Sequence, residues 1–360
     1  MAEPQRTVLH YVPRWLPLSE QYVDRLLRGS VQRPVVVVRR GVLNLGAFPQ
    51  SPLVRLDRIL APVPRRLQRQ ATGAALALAL RRHRADLLHV HFGFEVDGVV
   101  GAARRAGVPL VVSVHGNDVT SARTDTPAQR RALSLADAVV VPSAFLAEHA
   151  VRRGARPDRL HVVPSGVELS AHPVQPWPSG PPTAVFVGRF VQKKGLDVLA
   201  EAWPAVLAQV PEARLLVLGE GPVPPPAGAE RWPPDPTRRL EQVREALGRA
   251  TVVVTPSRTA ADGDSESLLL VNLEAQASGR PVVTTRHGGI PEFVDERTAV
   301  LVPEGDAPAL AHAVARLLAD PATAQDMGRA GPSVAARFSA EAGAAGVDAV
   351  YADLLRNTHH

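Results

Sequence analysis

A pair of lysines stands directly after an apolar run in the middle of the chain. The segment GRFVQKKG runs from Gly188 to Gly195, and its Lys193 and Lys194 are the only lysines among 41 basic residues. Arginine grips phosphate with a planar fork, whereas lysine is a compact charge on a flexible stem. Because Arg189 and Lys194 follow a predicted strand and precede a predicted helix, they predict a site for a diphosphate leaving group. The alternative is two exposed basic residues in a loop.

A second candidate segment combines carboxylates with the start of a helix. The sequence DGDSESLLLVNLEAQASG (262–279) places Glu266 before a helical pattern and Glu274 inside it. Backbone amides at a helix start favour an anion, and carboxylates beside them can accept hydrogen bonds from sugar hydroxyls. Acids that merely complement a helix dipole would account for Asp262 and Asp264 but not for Glu274. We interpret the Asp-Gly-Asp triplet as a solvated loop rather than a metal site.

Apolar runs alternate with helical patterns along the whole chain. Runs of Val and Leu this continuous predict strands buried on both faces, and therefore parallel sheets covered by helices. The segment 171–182 has five prolines and no periodicity, which predicts a linker, and the proline-rich segment 222–236 predicts a surface loop. We therefore expect an α/β fold of two doubly wound, Rossmann-like domains (1–170 and 183–338) facing each other across a cleft, with a C-terminal helix (339–357) packing back on the first.

The bulk composition excludes several classes of protein. Hydrophobic residues make up 45% of the 360 residues, charged residues make up 21%, and the mean hydropathy is −0.01, as in soluble globular proteins. The absence of cysteine excludes disulfides and thiolate metal sites. The N-terminal segment lacks the apolar stretch of a signal peptide, and no run approaches the ~20 residues of a membrane span. The sequence therefore predicts a cytoplasmic protein.

The charge is distributed unevenly between the two halves. Residues 1–170 carry 24 arginines and 13 acidic residues, whereas residues 171–360 carry 17 basic and 22 acidic residues. A basic half predicts that the first domain meets an anionic partner, and we include peripheral contact with an anionic membrane surface in that expectation. The alternative is an arginine-rich composition on solvated faces. Nucleic acid is not expected, because no basic-aromatic motif accompanies the arginines.

The two motifs belong to a longer ordered set of segments. This set resembles the retaining glycosyltransferases of family 4, also called group 1, which have the GT-B fold, and within them the exopolysaccharide-building members. The resemblance covers most of the chain. In chain order the matching segments are HGND (115–118), DAVVVPSAFL (137–146), VVPSGVE (162–168), GRFVQKKGLD (188–197), VLGEGP (217–222), Glu266-x7-Glu274 and SGRPVVTTRHGGIPE (278–292).

The resemblance implies an activity and a set of site residues. A hexosyl group would pass from a nucleotide-sugar, UDP- or GDP-linked, to a hydroxyl of a sugar, a lipid-linked or a small-molecule acceptor, with no metal and no cofactor. The implied catalytic residues are His115, Arg189, Lys194 and Glu266. Donor-binding roles fall on Arg189 and Lys194 (diphosphate), Glu274 (ribose), Glu266 (sugar hydroxyls), and Gly188, Ser267, Leu268 and Leu269. Acceptor-side positions are Ser19, Glu20 and Asn117.

The sequence also departs from the family pattern. The loop PRWLPLSEQY (13–22) stands where the family often has Gly-Gly, Ser267 replaces a usual glycine, and the 222–236 segment replaces the part that lines the base. We interpret His89 and His91 as structural. A nucleotide-sugar epimerase or a sugar phosphorylase on the same fold stays open as an alternative, as does a two-domain sugar-binding protein. An NAD(P)-dependent oxidoreductase is disfavoured because no strand is followed by GxGxxG.

Overall fold

The chain forms two compact units. The computed structural model describes residues 5–17, 20–46, 48–50, 52–94, 96 and 98–357. One unit combines Met1–Ser165 with Ala340–His360, and the other is Gly166–Ser339. No helix in the described part of the chain is both long and apolar enough to cross a membrane.

The first unit is built on a seven-stranded sheet whose strands are all parallel. The strands are β1 (Thr7–Val12), β2 (Arg33–Val38), β3 (Leu53–Arg55), β4 (Leu87–His91), β5 (Leu110–Ser113), β6 (Ala138–Val141) and β7 (Leu160–Val162). Their order across the sheet is β3-β2-β1-β4-β5-β6-β7, so the direction of winding reverses between β1 and β4. The continuous Val and Leu runs of the sequence supply β1, β4, β5 and β6, which are buried along their whole length.

Helices connect these strands and cover both faces of the sheet. They are α1 (Tyr22–Gly29), α2 (Leu56–Leu60), α3 (Gln68–Arg82), α4 (Val99–Ala106), α5 (Asn117–Thr120), α6 (Pro127–Leu135) and α7 (Ala144–Arg152). The start of α6 follows the expected chemistry, since Thr126 accepts a hydrogen bond from Gln129 N–H and Pro127 occupies the first turn.

The second unit repeats the plan with a six-stranded parallel sheet. Its strands are β8 (Thr183–Val187), β9 (Arg214–Leu218), β10 (Glu230–Trp232), β11 (Val252–Thr255), β12 (Val282–Thr285) and β13 (Ala299–Val302). The order β10-β9-β8-β11-β12-β13 reverses between β8 and β11. Ligands of doubly wound sheets bind at the carboxyl ends of the strands at such a reversal.

The remaining helices complete both units. They are α8 (Leu196–Gln209), α9 (Arg239–Arg249), α10 (Leu270–Ala277), α11 (Ala307–Ala319), α12 (Pro321–Ala335) and α13 (Ala340–Asn357). The last helix belongs to the first unit, where its Val347, Val350 and Tyr351 pack in one apolar cluster with Val8 and Leu87. The fold class predicted from the sequence, two Rossmann-like α/β domains, is confirmed by these two sheets.

Two proline-rich segments have more structure than their local sequence pattern indicates. The 222–236 segment contains β10, which pairs with β9 at the edge of the sheet. The 171–182 segment is part of the second unit, where it is bound by Arg280, which is 1% exposed. The Arg280 guanidinium donates hydrogen bonds to the carbonyls of Gln175 (3.3 Å) and Pro176 (2.5 Å). The prolines interrupt any helical or strand periodicity in both segments. The residues that contact these segments are distant in sequence and could not be read from the local pattern.

Candidate functional site

The lysine segment lies at the carboxyl end of β8, next to the reversal of the second sheet. After β8 come Gly188 and the exposed Arg189, and a short 3-10 helix ends at Lys194. Gly195 then has φ +66°, and a Cβ at this position would lie 1.7 Å from the carbonyl oxygen of Pro256. Only glycine allows this approach, which brings the lysine turn against the loop that follows β11.

Lys193 is buried in an ion-pair cluster. Its Nζ atom lies 3.0 Å from Asp264 Oδ1 and 3.6 Å from Glu266 Oε1, and the residue is 8% exposed. Burial by itself lowers the pKa of Lys193, but the charges of Glu266 and Asp264 more than offset it, so the pKa is raised. Of the two basic residues named from the sequence, Arg189 is exposed and Lys194 is half-buried, so the alternative of two exposed basic residues does not hold for Lys194. Lys193, to which we gave no role from the sequence, belongs to the cluster.

Lys194 and Glu266 form the second ion pair of this cluster. Lys194 Nζ lies 3.0 Å from Glu266 Oε1, and Glu266 is 7% exposed. Burial raises the pKa of Glu266, but Lys194 and then Lys193 reverse this and lower the pKa to about 2. The carboxylate is therefore ionised at neutral pH. It is suited to accepting hydrogen bonds from hydroxyl groups.

The two lysines differ in how completely their charge is neutralised. Lys193 contacts two carboxylates, whereas Lys194 contacts one among the described residues, Glu266, which it shares with Lys193. Burial lowers the pKa of Lys194; Glu266 opposes this, but the charges of Lys193 and Arg189 add to it, so the pKa stays lowered. The site therefore carries positive charge that its own carboxylates do not balance. An anion that approaches Lys194 and Arg189 would be stabilised there.

The second motif places its residues as the sequence pattern predicts, at the start of α10. Ser267 and Leu269 are buried and Leu268 is half-buried, directly before the helix begins at Leu270. Glu274, inside the helix, is 3% exposed, and its Oε1 atom lies 3.9 Å from His172 Nε2. His172 received no role from the sequence, because nothing in its local pattern distinguishes it.

His115 lies in the first unit, two residues after β5. Its backbone N–H and that of Gly116 donate to the buried carboxylate of Asp118 (2.9 and 2.8 Å), which also accepts from Gly93 N–H (3.0 Å). The His115 ring contacts Tyr22, with 4.7 Å between ring centroids. Burial lowers the pKa of His115 to about 3, and its buried Nε2 atom makes no hydrogen bond. Asp118, to which we gave no role from the sequence, therefore holds the backbone of the loop that carries His115, and the His115 ring is neutral.

A cluster of buried histidines lies beside His115. A hydrogen bond of 3.1 Å joins His10 Nδ1 to His91 Nε2. The ring nitrogens of His89 are hydrogen bonded to Ser113 Oγ (2.7 Å) and to the Tyr351 hydroxyl (2.5 Å). The three histidines offer ligand atoms within 4.8 Å of one another. Because both nitrogens of His89 are already hydrogen bonded, we interpret the cluster as a structural network.

The predicted acceptor-side residues are only partly described. Ser19 lies outside the described residues. Glu20 is half-buried, and its N–H donates to the carbonyl of Pro17 (2.9 Å) just before α1. Asn117 is exposed at the first position of α5. Both residues therefore lie in the first unit, in the loop after β1 and after β5.

Comparisons with known proteins agree with this architecture. The family profile described as "Glycosyltransferase Family 4" matches residues 19–171, and the profile described as "Glycosyl transferases group 1" matches residues 181–320. The D-inositol 3-phosphate glycosyltransferase of Segniliparus rotundus is 34% identical, with 76% of this chain and 67% of that protein covered. A GDP-mannose-dependent monoacylated alpha-(1-6)-phosphatidylinositol monomannoside mannosyltransferase of Corynebacterium glutamicum is 30% identical, with 76% of each covered.

Among solved structures, Anabaena HepE in complex with UDP-glucose superimposes with a TM-score of 0.75 at 16% identity, covering 98% of this chain and 99% of that one. Two doubly wound parallel sheets of this order give the chain the GT-B fold. The matching profiles and relatives identify the family: this chain belongs to the group 1, or family 4, glycosyltransferases.

Proposed function

We propose that the protein transfers a hexosyl group from a UDP- or GDP-linked donor to an acceptor hydroxyl, with retention of the anomeric configuration and without a metal. The observation that carries the proposal is the incomplete neutralisation of Lys194 beside Arg189 at the carboxyl end of β8. A diphosphate would complete that neutralisation. Its charge grows as the bond to the sugar breaks, so Lys194 and Arg189 would stabilise the transition state more than the bound donor.

The other donor residues take the roles that the family resemblance implies. Glu266 is ionised and buried, which suits it to bind hydroxyls of the donor sugar. Glu274 would bind the nucleotide ribose, and Ser267 to Leu269 would approach the sugar and phosphate. His115 would contact the donor sugar as a neutral imidazole. In this mechanism the two cations take the part that a divalent ion plays elsewhere, and no enzymic nucleophile is required.

For the acceptor, we propose an anionic molecule. The relatives named above act on inositol 3-phosphate and on a phosphatidylinositol mannoside, both of which carry phosphate. The first half of this chain carries the excess of arginine, and Arg14 and Arg66 are exposed. The side chain of Arg65, adjacent to Arg66, is outside the described part. An arginine near an anionic surface contributes about 1 kcal/mol of attraction, screened beyond ~8 Å at physiological salt.

An exposed face of the first unit fits peripheral contact with an anionic membrane. Leu67 and Leu78 are 43% and 67% exposed. Leu78 lies on α3, and Leu67 directly precedes that helix. Arg66 flanks the first leucine, and Arg81 and Arg82 follow the second, all three exposed. Leucines among arginines suit the boundary between lipid headgroups and acyl chains. Such contact would occur at the cytoplasmic leaflet, in keeping with the predicted location.

A donor screen tests the proposed function. Thermal unfolding is measured with UDP-, GDP-, ADP- and dTDP-sugars, with and without EDTA. A donor at ~100 times its Kd raises the free energy of unfolding by about 2.7 kcal/mol, which gives a clear shift. We expect one nucleotide class to produce the shift in EDTA, and the product anomer, read by NMR, to keep the donor configuration. No shift with any nucleotide-sugar, or isomerisation of the donor without an acceptor, would reject the proposal.

A further inference from the structure

His287 connects Glu266 to a second carboxylate that the proposed mechanism does not use. It follows β12 by two residues, and it is 3% exposed. Its Nε2 atom meets the backbone N–H of Glu266, and its Nδ1 atom meets the side chain of Glu304. Glu304 follows β13 by two residues. The loops after two neighbouring strands therefore converge on the residue proposed to bind the donor sugar.

The hydrogen bonds determine which ring nitrogen of His287 carries the proton. Glu266 N–H points at His287 Nε2 across 3.1 Å. A backbone N–H can only donate, so Nε2 must accept and carries no proton. The proton of the neutral ring is therefore on Nδ1, which donates to Glu304 Oε2 at 2.6 Å. A carboxylate behind one nitrogen thus sets the other nitrogen as an acceptor.

Further hydrogen bonds fix both ends of this pair. Glu304 also accepts from Thr259, through its N–H at 3.0 Å and its hydroxyl at 3.2 Å. On the other side, Gly289 N–H donates to the carbonyl of Glu266 at 3.1 Å. The segment 287–289 therefore holds the backbone of Glu266 through its N–H and through its C=O.

We propose that His287 and Glu304 form a positioning pair that holds Glu266 against the two lysines, and that protonation of His287 releases it. The inference rests on the proposed function, because it assigns a purpose to the orientation of the Glu266 carboxylate. Protonation would give the ring its second N–H, on Nε2, where it would point directly at the Glu266 N–H. Two donors cannot share this contact, so the loop that carries Glu266 would move.

The charges around His287 define the pH range in which the pair is intact. The charged groups that act on the ring are Glu304, Glu266 and Lys193. Burial lowers the pKa of His287; Glu304 and Glu266 oppose this, and Lys193 adds to it, so that the pKa lies below its usual 6.5. The pair is therefore intact at neutral pH and is lost as the pH falls through the lowered pKa. Removal of the Glu304 charge would lower that pKa further.

The first experiment needs no substrate. Long-range ¹H–¹⁵N NMR of ¹⁵N-histidine protein reports the tautomer, and His287→Gln identifies the His287 signals. We expect the Nδ1–H tautomer above pH 7 and a pKa below 6.5, with the Glu266 amide signal titrating at the same midpoint. In Glu304→Gln, which preserves the side-chain shape, both midpoints should move to lower pH. An Nε2–H tautomer, or midpoints unchanged in Glu304→Gln, would overturn the proposal.

The second experiment measures turnover with UDP-glucose and GDP-mannose as donors. For Glu304→Gln we expect about a tenfold loss of kcat with a KM change below about threefold. The fall of kcat on the acid side of its pH profile should move to lower pH. Glu296→Gln, an exposed acid of the same unit, is the matched control and should behave as wild type. Wild-type kcat and pH limb in Glu304→Gln would overturn the positioning role. If the wild-type protein transfers sugar from no nucleotide-sugar, the proposed function is rejected. The NMR titration tests the His287–Glu304 pair independently of that result.

Discussion

Replacing Lys193 by methionine is expected to destabilise the second unit without disabling the chemistry. The sequence alone predicts that loss of Lys193 has little effect on activity, because its spacing from Arg189 singles out Lys194. The structure adds an expected cost in stability, since Lys193 is buried and contacts both Asp264 and Glu266. Methionine keeps the length of the side chain and removes the charge. Two carboxylates would then lose a cation while they stay largely buried.

The size of the effect follows from the pKa of Glu266. The pKa falls from its ordinary 4.5 to about 2 in the folded protein. Since each pKa unit corresponds to about 1.4 kcal/mol, the folded environment stabilises the ionised carboxylate by about 3 kcal/mol net, after the opposing cost of burial. Lys194 supplies the larger share and Lys193 the smaller. Adding the 3.0 Å contact with Asp264, we expect Lys193→Met to lower the free energy of unfolding by about 2 kcal/mol.

Urea unfolding followed by tryptophan fluorescence measures this quantity. Three of the four tryptophans, Trp177, Trp203 and Trp232, belong to the second unit, so the signal mainly reports on that unit. The pH dependence gives an independent check. Stability from Glu266 is complete above its unfolded pKa of about 4.5 and is lost as the pH falls towards 2. In Lys193→Met the folded carboxyl is expected to titrate at a higher pH, so the loss of stability on acidification is smaller and is complete at a higher pH.

Lys194→Met is the matched comparison. Its ammonium is the one left to meet the donor diphosphate, so we expect kcat to fall on the order of 10²-fold, as on loss of one charge-assisted contact in a transition state. Lys193→Met should retain kcat within about threefold. An unfolding midpoint equal to wild type in Lys193→Met would show that the ion pairs contribute no net stability. A larger loss of kcat in Lys193→Met than in Lys194→Met would exchange the roles assigned to the two lysines.

Three further sets of substitutions test other parts of the protein. Glu274→Ala is expected to weaken calorimetric binding of free UDP or GDP and of the intact donor alike, whereas Glu266→Ala should weaken only the intact donor; equal effects on both ligands would remove this division of roles. Arg66→Gln is expected to make the acceptor KM less sensitive to salt and to leave the donor KM unchanged. An acceptor KM that does not depend on salt in the wild-type protein would show that the excess of arginine reflects composition and not acceptor binding. Gly195→Ala should cost about 3 kcal/mol or more in urea unfolding because its Cβ meets backbone, whereas Gly305→Ala, also at positive φ but with nothing within 4 Å, should cost less.

The edge strands show where local pattern stops being informative. The long Val and Leu runs predicted the central strands, because a strand buried on both faces must be apolar throughout. The strands β3 and β10 escaped prediction. Each is three residues long and pairs with one neighbour only, and β10 (ERW) lies within a proline-rich segment. Short edge strands are selected by the sheet that they join rather than by their own composition.

For the site, residue types, their spacing and the family resemblance selected Arg189, Lys194, Glu266 and Glu274 as candidates, because such groups recur at strand ends and helix starts in a recognisable order. The sequence could not show that Lys193 is the cation that neutralises Asp264, because the two residues are 71 positions apart in the chain. Nor could it show that His287 faces the Glu266 backbone, 21 residues away. Chain-local pattern determined which elements form and which residues stand at their ends. Tertiary packing decided which charges are buried together, and the balance between burial and the neighbouring charges gives Lys193, Lys194 and Glu266 their different pKa values.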